Sequence, residues 1–171
     1  MAMIRIAQTG DAERIRTVNI RGFGQTVEAD VVDTLRQTCP EGVSLVALHD
    51  GNVVGHILFT PAVIAAKEKK VLGMGLAPMS VLPELQRTGI GSALVRAGIE
   101  EMRLAAQPFV IVLGHPAYYP RFGFVPASRR GIASEYDGVP DEAFMILVLD
   151  ESALAGVTGT AKYRPEFAAA V

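Results

Sequence analysis

The chain has one cysteine, Cys39, and no tryptophan among 171 residues. A lone thiol closes no internal disulfide and supplies no cysteine-based zinc cluster, which suits a reducing, cytoplasmic setting. Excess charge is missing as well: 16 Lys and Arg stand against 18 Asp and Glu, a net charge of -2. That balance removes the driving force of a general nucleic-acid or acidic-membrane binder. Long apolar runs are also scarce. The uncharged stretch 51–66 contains His56, Thr60 and Pro61 and falls short of the ~20 apolar residues that span a bilayer. Residues 1–16 carry charges throughout and lack the apolar run of a secretion signal. His49 and His56 have no ligand-like spacing to a second His, Cys or acid, so no metal is expected. What is present, 50% hydrophobic and 20% charged residues, is ordinary globular composition, and the length predicts one domain over residues 1–171.

Periodicity supplies the elements. Met3 to Ala7 alternates as a strand, and apolar residues at helical spacing predict a helix with Ile15, Val18 and Phe23 and another over about 26–38 before Pro40. Val43 to His49 and Val53 to about Ala65, around Asp50, Gly51 and Asn52, predict an antiparallel hairpin. The KEKK run at 67–70 reads as the next turn. Leu72 to Leu82 is apolar at nearly every position, as expected of a central strand buried on both faces. From Gly89 the pattern becomes an amphipathic helix through Ile90, Leu94, Val95, Ile99 and Met102, followed by a short strand at Phe109 to Leu113. Strand, helix and strand in series predict a parallel crossover. One or two helical turns at 117–122 and strands at 144–149 and 159–163 complete a mixed α/β chain with helices on both faces of the sheet.

The segment VLPELQRTGIGSAL, residues 81–94, places two glycines where a buried strand turns into the longest helix. A helix start exposes unpaired backbone N–H groups and partial positive charge, which favours an anionic oxygen. Gly89 and Gly91 let a pyrophosphate approach the main chain, Arg87 adds charge, and Thr88 and Ser92 add hydroxyl donors. Two such glycines equally suit a plain turn and close helix packing. A nucleotide P-loop is excluded because no Gly, four residues, Gly, Lys, Ser/Thr string occurs. The dinucleotide fingerprint fails at Leu94, and again because no Asp or Glu lies between Met102 and Ser134.

QRTGIG at 86–91, preceded by SVLP at 80–83, resembles the acyl-CoA loop of the GNAT superfamily of N-acetyltransferases. AYYPRFGF at 117–124 resembles the Tyr, three residues, Gly, Phe segment that follows the second central strand in that family. The resemblance implies a GNAT fold: a central mixed, mostly antiparallel sheet with one parallel strand pair and helices on both faces. It implies acetyl-CoA as the acyl donor, with the pantetheine arm along the backbone of Met79 and Val81. The pyrophosphate would then rest on N–H groups from Gln86 and Arg87 through Thr88, Gly89, Ile90 and Gly91 to Ser92. Pro78, which has no N–H, fits a bulge where the parallel strands part.

Acyl transfer from a thioester to an amine needs a base for the amine, donors for the oxyanion and an acid for the thiolate. The resemblance aligns Tyr119 with the tyrosine beside the coenzyme sulfur, making it the expected acid. Many relatives carry a Glu on the strand before the loop, but here no acid or histidine lies between Lys70 and Glu84. His115, Glu28 and Glu84 are therefore the base candidates. The expected activity is N-acetylation of a small-molecule or peptide primary amine by direct attack in a ternary complex. The alternative is a non-catalytic CoA-binding or dimerisation module, and a homodimer fits either reading.

Overall fold

The computed structural model describes residues 2–171. The chain runs β1 (Met3–Ile6), α1 (Ala12–Phe23), α2 (Val27–Thr38), β2 (Val43–His49), β3 (Asn52–Ala65), β4 (Lys70–Val81), α3 (Ile90–Leu104) and β5 (Phe109–Leu113). It continues through β6 (Val125–Pro126), β7 (Ile132–Ser134), β8 (Phe144–Val148), α4 (Glu151–Leu154) and β9 (Gly159–Lys162). Hydrogen-bonded neighbours follow the order β1-β2-β3-β4-β5-β8-β6, with β9 pairing β3 and β7. The β1–β2, β2–β3 and β5–β8 ladders are antiparallel, whereas β4 and β5 form the expected parallel pair. This is the mixed α/β arrangement that the element order predicted, with the mostly antiparallel sheet that the GNAT resemblance implied. No helix among the described residues is long and apolar enough to cross a membrane.

Local chemistry explains the boundaries. Gly24 ends α1 in the left-handed conformation, at φ 73°, with its N–H on the Ile20 carbonyl. Asp50 and Gly51 both take positive φ in the β2–β3 turn, as a tight hairpin requires. The KEKK run is a turn only in its first part, because Lys70 already opens β4.

Three expectations need correction. Leu72 is 71% exposed, so β4 becomes a doubly buried strand only from Gly73 onward. The short strands β6 and β7 and the one-turn helix α4 were not foreseen. Nor was a second parallel contact, in which β7 pairs with β9 from Ile132↔Gly159 to Ser134↔Ala161.

The chain forms two compact units, one of Met1–Thr60, Ala77–Glu100 and Pro165–Val171, the other of Pro61–Leu76 and Glu101–Arg164. In the first, α3 lies so close to β3 that a Cβ on Gly98 would stand 2.3 Å from the Phe59 ring. Phe59, Leu94 and Val95 are fully buried there. In the second, Phe109, Ile111, Phe124 and Ile146 form the apolar centre.

Candidate functional site

In the first unit, the C-terminal part of β4 is held from one side by α1. Ser80 Oγ donates to the Val18 carbonyl at 2.9 Å, and Gly22 leaves room for it, since a Cβ there would collide with that hydroxyl. Leu82 N–H donates to the Val54 carbonyl at 2.9 Å. Past this anchor a 3-10 turn, Pro83–Leu85, leads into the glycine loop.

The loop's side chains brace the loop itself. Thr88 Oγ1 donates to the Leu85 carbonyl at 2.6 Å and Gln86 Nε2 to the Val81 carbonyl at 3.1 Å. Arg87 and Gly89 take left-handed φ angles of 62° and 93°. Gln86, Arg87, Thr88 and Gly89 are exposed, and Ile90 is buried at the head of α3. Nothing lies within 4 Å of where a Gly89 Cβ would stand. The bend therefore needs glycine for its dihedral, while the space above it is open. Gly91 and Ser92 continue into the first turn of α3. Exposed main-chain donors at the start of a 15-residue helix are suited to an anionic oxygen.

In the second unit, the parallel register of β4 and β5 runs from Met74↔Val110 to Leu76↔Val112. Pro78 follows two residues beyond the last pair. Tyr163, just after β9, places its hydroxyl at this end of the ladder. It accepts from Leu113 N–H at 3.1 Å and lies 3.2 Å from the Leu76 carbonyl and 3.3 Å from the Ile111 carbonyl. Burial pushes the Tyr163 phenol well above its usual range, with Tyr119, Tyr136 and Glu135 adding to the effect, so it keeps its proton.

After β5, Tyr118 and Tyr119 direct their N–H groups to the His115 carbonyl, which starts the 3-10 turn Tyr119–Phe122. Gly123, at φ 98°, closes that turn. The buried Tyr119 ring sits edge-on to Tyr118 and Phe124, with centroids 5.1 and 5.6 Å apart. It also lies directly over Gly114, where a Cβ would come within 2.3 Å of the ring. Burial, and then Tyr118, raise the Tyr119 phenol above the ordinary phenolic range. At neutral pH it stays protonated, so it can give up a proton as an acid but cannot serve as a base. His115 is exposed.

The acidic base candidates are both engaged within the first unit. Glu84 forms a two-pronged pair with Arg21 at 3.0 and 2.8 Å, which holds its carboxyl below the usual range together with a backbone hydrogen bond. Both carboxylate oxygens of the buried Glu28 accept from Gln25 Nε2, at 2.7 and 2.9 Å. The stretch 134–141, which follows Arg129 and Arg130 in the sequence, carries Glu135 and Tyr136, whose Oε2 and hydroxyl are buried without a hydrogen-bond partner. Tyr136 lines a cavity of about 420 Å³ with Ser134, Asp137, Asp141 and Phe144. Arg130, next to that cavity's rim, is paired with Glu151 at 2.6 Å. Cys39 is buried and donates to Glu41. No group of three His, Cys, Asp or Glu suited to a metal ion occurs among the described residues.

Residues 3–127 match the family model for an acetyltransferase (GNAT) domain. The chain is 43% identical over 140 residues to the uncharacterized N-acetyltransferase YjhQ of Escherichia coli K12, covering 80% of this chain and 77% of the relative. It is 32% identical over 166 residues to YhbS of the same strain, with 96% and 98% covered. The crystal structure of E. coli YhbS in complex with CoA superposes with a TM-score of 0.88 at 31% identity, covering 98% of this chain and 92% of that one. A GNAT acetyltransferase from Brucella melitensis in complex with acetyl-CoA gives 0.77 at 34% identity, with 98% of each chain covered.

Proposed function

The chain belongs to the GNAT acetyltransferase family, and from that premise we propose that it moves the acetyl group of acetyl-CoA to a primary amine by direct attack in a ternary complex. The observation that carries the reading is the open, glycine-bent head of α3 directly after a strand anchored by α1. Similar chains hold CoA or acetyl-CoA in their crystal structures. The pyrophosphate takes the loop N–H groups from Arg87 to Ser92, because the Gln86 N–H already donates to the Pro83 carbonyl, and the pantetheine arm follows the backbone of Met79 and Val81. Gln86 already occupies the Val81 carbonyl, so its amide swings aside if that carbonyl is to pair with the arm.

Tyr119 is the acid in this reading. A phenol that stays protonated at neutral pH hydrogen-bonds the thiolate as the C–S bond breaks and supplies its proton. His115 is the favoured base, because Glu84 and Glu28 are committed to Arg21 and Gln25, whereas the exposed imidazole starts the turn that carries Tyr119. Imidazole can exchange a proton near neutral pH. The ammonium gives one proton to this base. Nitrogen then attacks the thioester carbonyl, the C–S bond breaks, and the second nitrogen proton replaces the one Tyr119 passes to sulfur.

The test measures release of free coenzyme thiol over a panel of small-molecule and peptide amines. Tyr119→Phe should lower kcat by about 10²-fold while CoA affinity holds. Full activity in that variant would remove Tyr119 from the chemistry. Tight acetyl-CoA binding with no turnover on any amine would favour the non-catalytic CoA-binding or dimerisation module instead.

A further inference from the structure

The end of the β4–β5 ladder carries an inference beyond the loop and the acid. In a parallel pair each residue bonds to the residues on either side of its partner. The Leu76↔Val112 pair therefore brings Leu76 C=O, Ile111 C=O and Leu113 N–H to one rung. The Tyr163 hydroxyl reaches all three groups, at 3.2, 3.3 and 3.1 Å. A hydroxyl has one proton to give and lone pairs to receive. It thus accepts from Leu113 and donates to one of the two carbonyls. The ring has a prepared seat, since a Cβ on Gly75 would stand 2.5 Å from Tyr163 Cε1. Two ladders aim it: β9 pairs antiparallel with β3 through Val63↔Lys162 and parallel with β7 through Ser134↔Ala161.

We propose that Tyr163 is a positioning residue for the acyl donor, its hydroxyl taking the last parallel rung so that the β4–β5 ladder stops at Leu76 and the β4 backbone beyond it is left to the pantetheine arm. This rests on the acetyl-CoA reading above. With Pro78 contributing no N–H two residues on, hydroxyl and proline together fix where the ladder ends. Removing only the hydroxyl leaves Leu113 N–H to Leu76 C=O alone, which strengthens that rung and lets the ladder run on toward the β4 backbone the arm needs.

Tyr163→Phe keeps the ring and deletes the oxygen. Calorimetric titration should show its Kd for CoA, and its KM for acetyl-CoA, raised about tenfold, as expected for the loss of one well-placed hydrogen-bonding group. The kcat at saturating acetyl-CoA should stay within about twofold, because the acid and base are untouched. NMR should find a stronger through-bond coupling from Leu113 N–H to the Leu76 carbonyl carbon than in the wild type. Gly75→Ala, which displaces the ring, should raise the same Kd, and it decides the matter if Tyr163→Phe does not fold. Unchanged CoA affinity in a folded variant overturns the proposal, leaving the hydroxyl a satisfied core group. If the wild-type protein itself binds no CoA, the acetyl-CoA reading falls, and the Leu113–Leu76 coupling still judges the rung: stronger in the variant upholds it, equal refutes it.

Discussion

His56 shows how a single side chain couples this protein to pH. It is fully buried in β3, where Asn19 Nδ2 donates to its Nδ1 at 3.2 Å and Ser44 Oγ lies 2.7 Å from Nε2. An amide nitrogen only donates, so Nδ1 accepts and the ring's proton sits on Nε2, toward Ser44. Burial, with Arg36 nearby, pushes the imidazole down to about 3 from 6.5. The unfolded chain therefore binds a proton below pH 6.5 that the folded chain refuses until about pH 3. Stability is complete above that window and falls as the pH drops through it, by up to about 1.4 kcal/mol per unit. Urea midpoints between pH 7 and 4 should show the slope, and His56→Gln should flatten it. Asp11, drawn down to about 2 by Arg5, adds a second loss below its ordinary value of 3.8. At this scale the sequence offered Tyr119 through the resemblance of 117–124 to a family segment. Tyr163 stayed hidden because its partner Leu76 lies 87 residues away, and a lone tyrosine near a strand end has no pattern to mark it.

Elements were more legible than residues. The hairpin, α3 and β5 emerged within a residue or two because each has a long or regular apolar pattern. Strands β6 and β7, of two and three residues, are too short to show any period, and they exist through their partners β8 and β9. The two kinds of glycine around α3 give a paired prediction. Gly98→Ala forces a methyl into the buried Phe59 ring and should cost about 1–3 kcal/mol by overpacking. Gly89→Ala meets no atom but must hold φ 93°, a strain of about 1–2 kcal/mol, and should weaken CoA binding as the loop relaxes. Thermal melts with and without CoA separate them: Gly98→Ala should lower both melting points equally, whereas Gly89→Ala should shrink the gap between them.

For the whole molecule, the expected ligand is the main lever on stability. Acetyl-CoA at a hundred times its Kd should add about 2.7 kcal/mol, which for a chain of this length raises Tm by about 5–10 °C. NAD and ATP should add nothing, and equal stabilisation by either would refute the phosphate-loop reading. The antiparallel hairpin and the parallel crossover could be anticipated from the series of elements. The two compact units could not, because one of them is assembled from three separated stretches, Met1–Thr60, Ala77–Glu100 and Pro165–Val171, and three of the four limits fall inside β3, β4 and α3 rather than in any linker that composition would betray.

The distance along the chain between Leu113 and Tyr163, 50 residues, also sets an order of events during synthesis. A ribosome releases both parallel strands well before it adds the phenol that closes their ladder. A nascent polypeptide stalled short of residue 163 would already contain the glycine loop, yet would lack the hydroxyl to which Leu113 N–H donates. On the Tyr163 proposal, competence for the thioester carrier therefore waits on a side chain added 50 residues after the second parallel strand is complete.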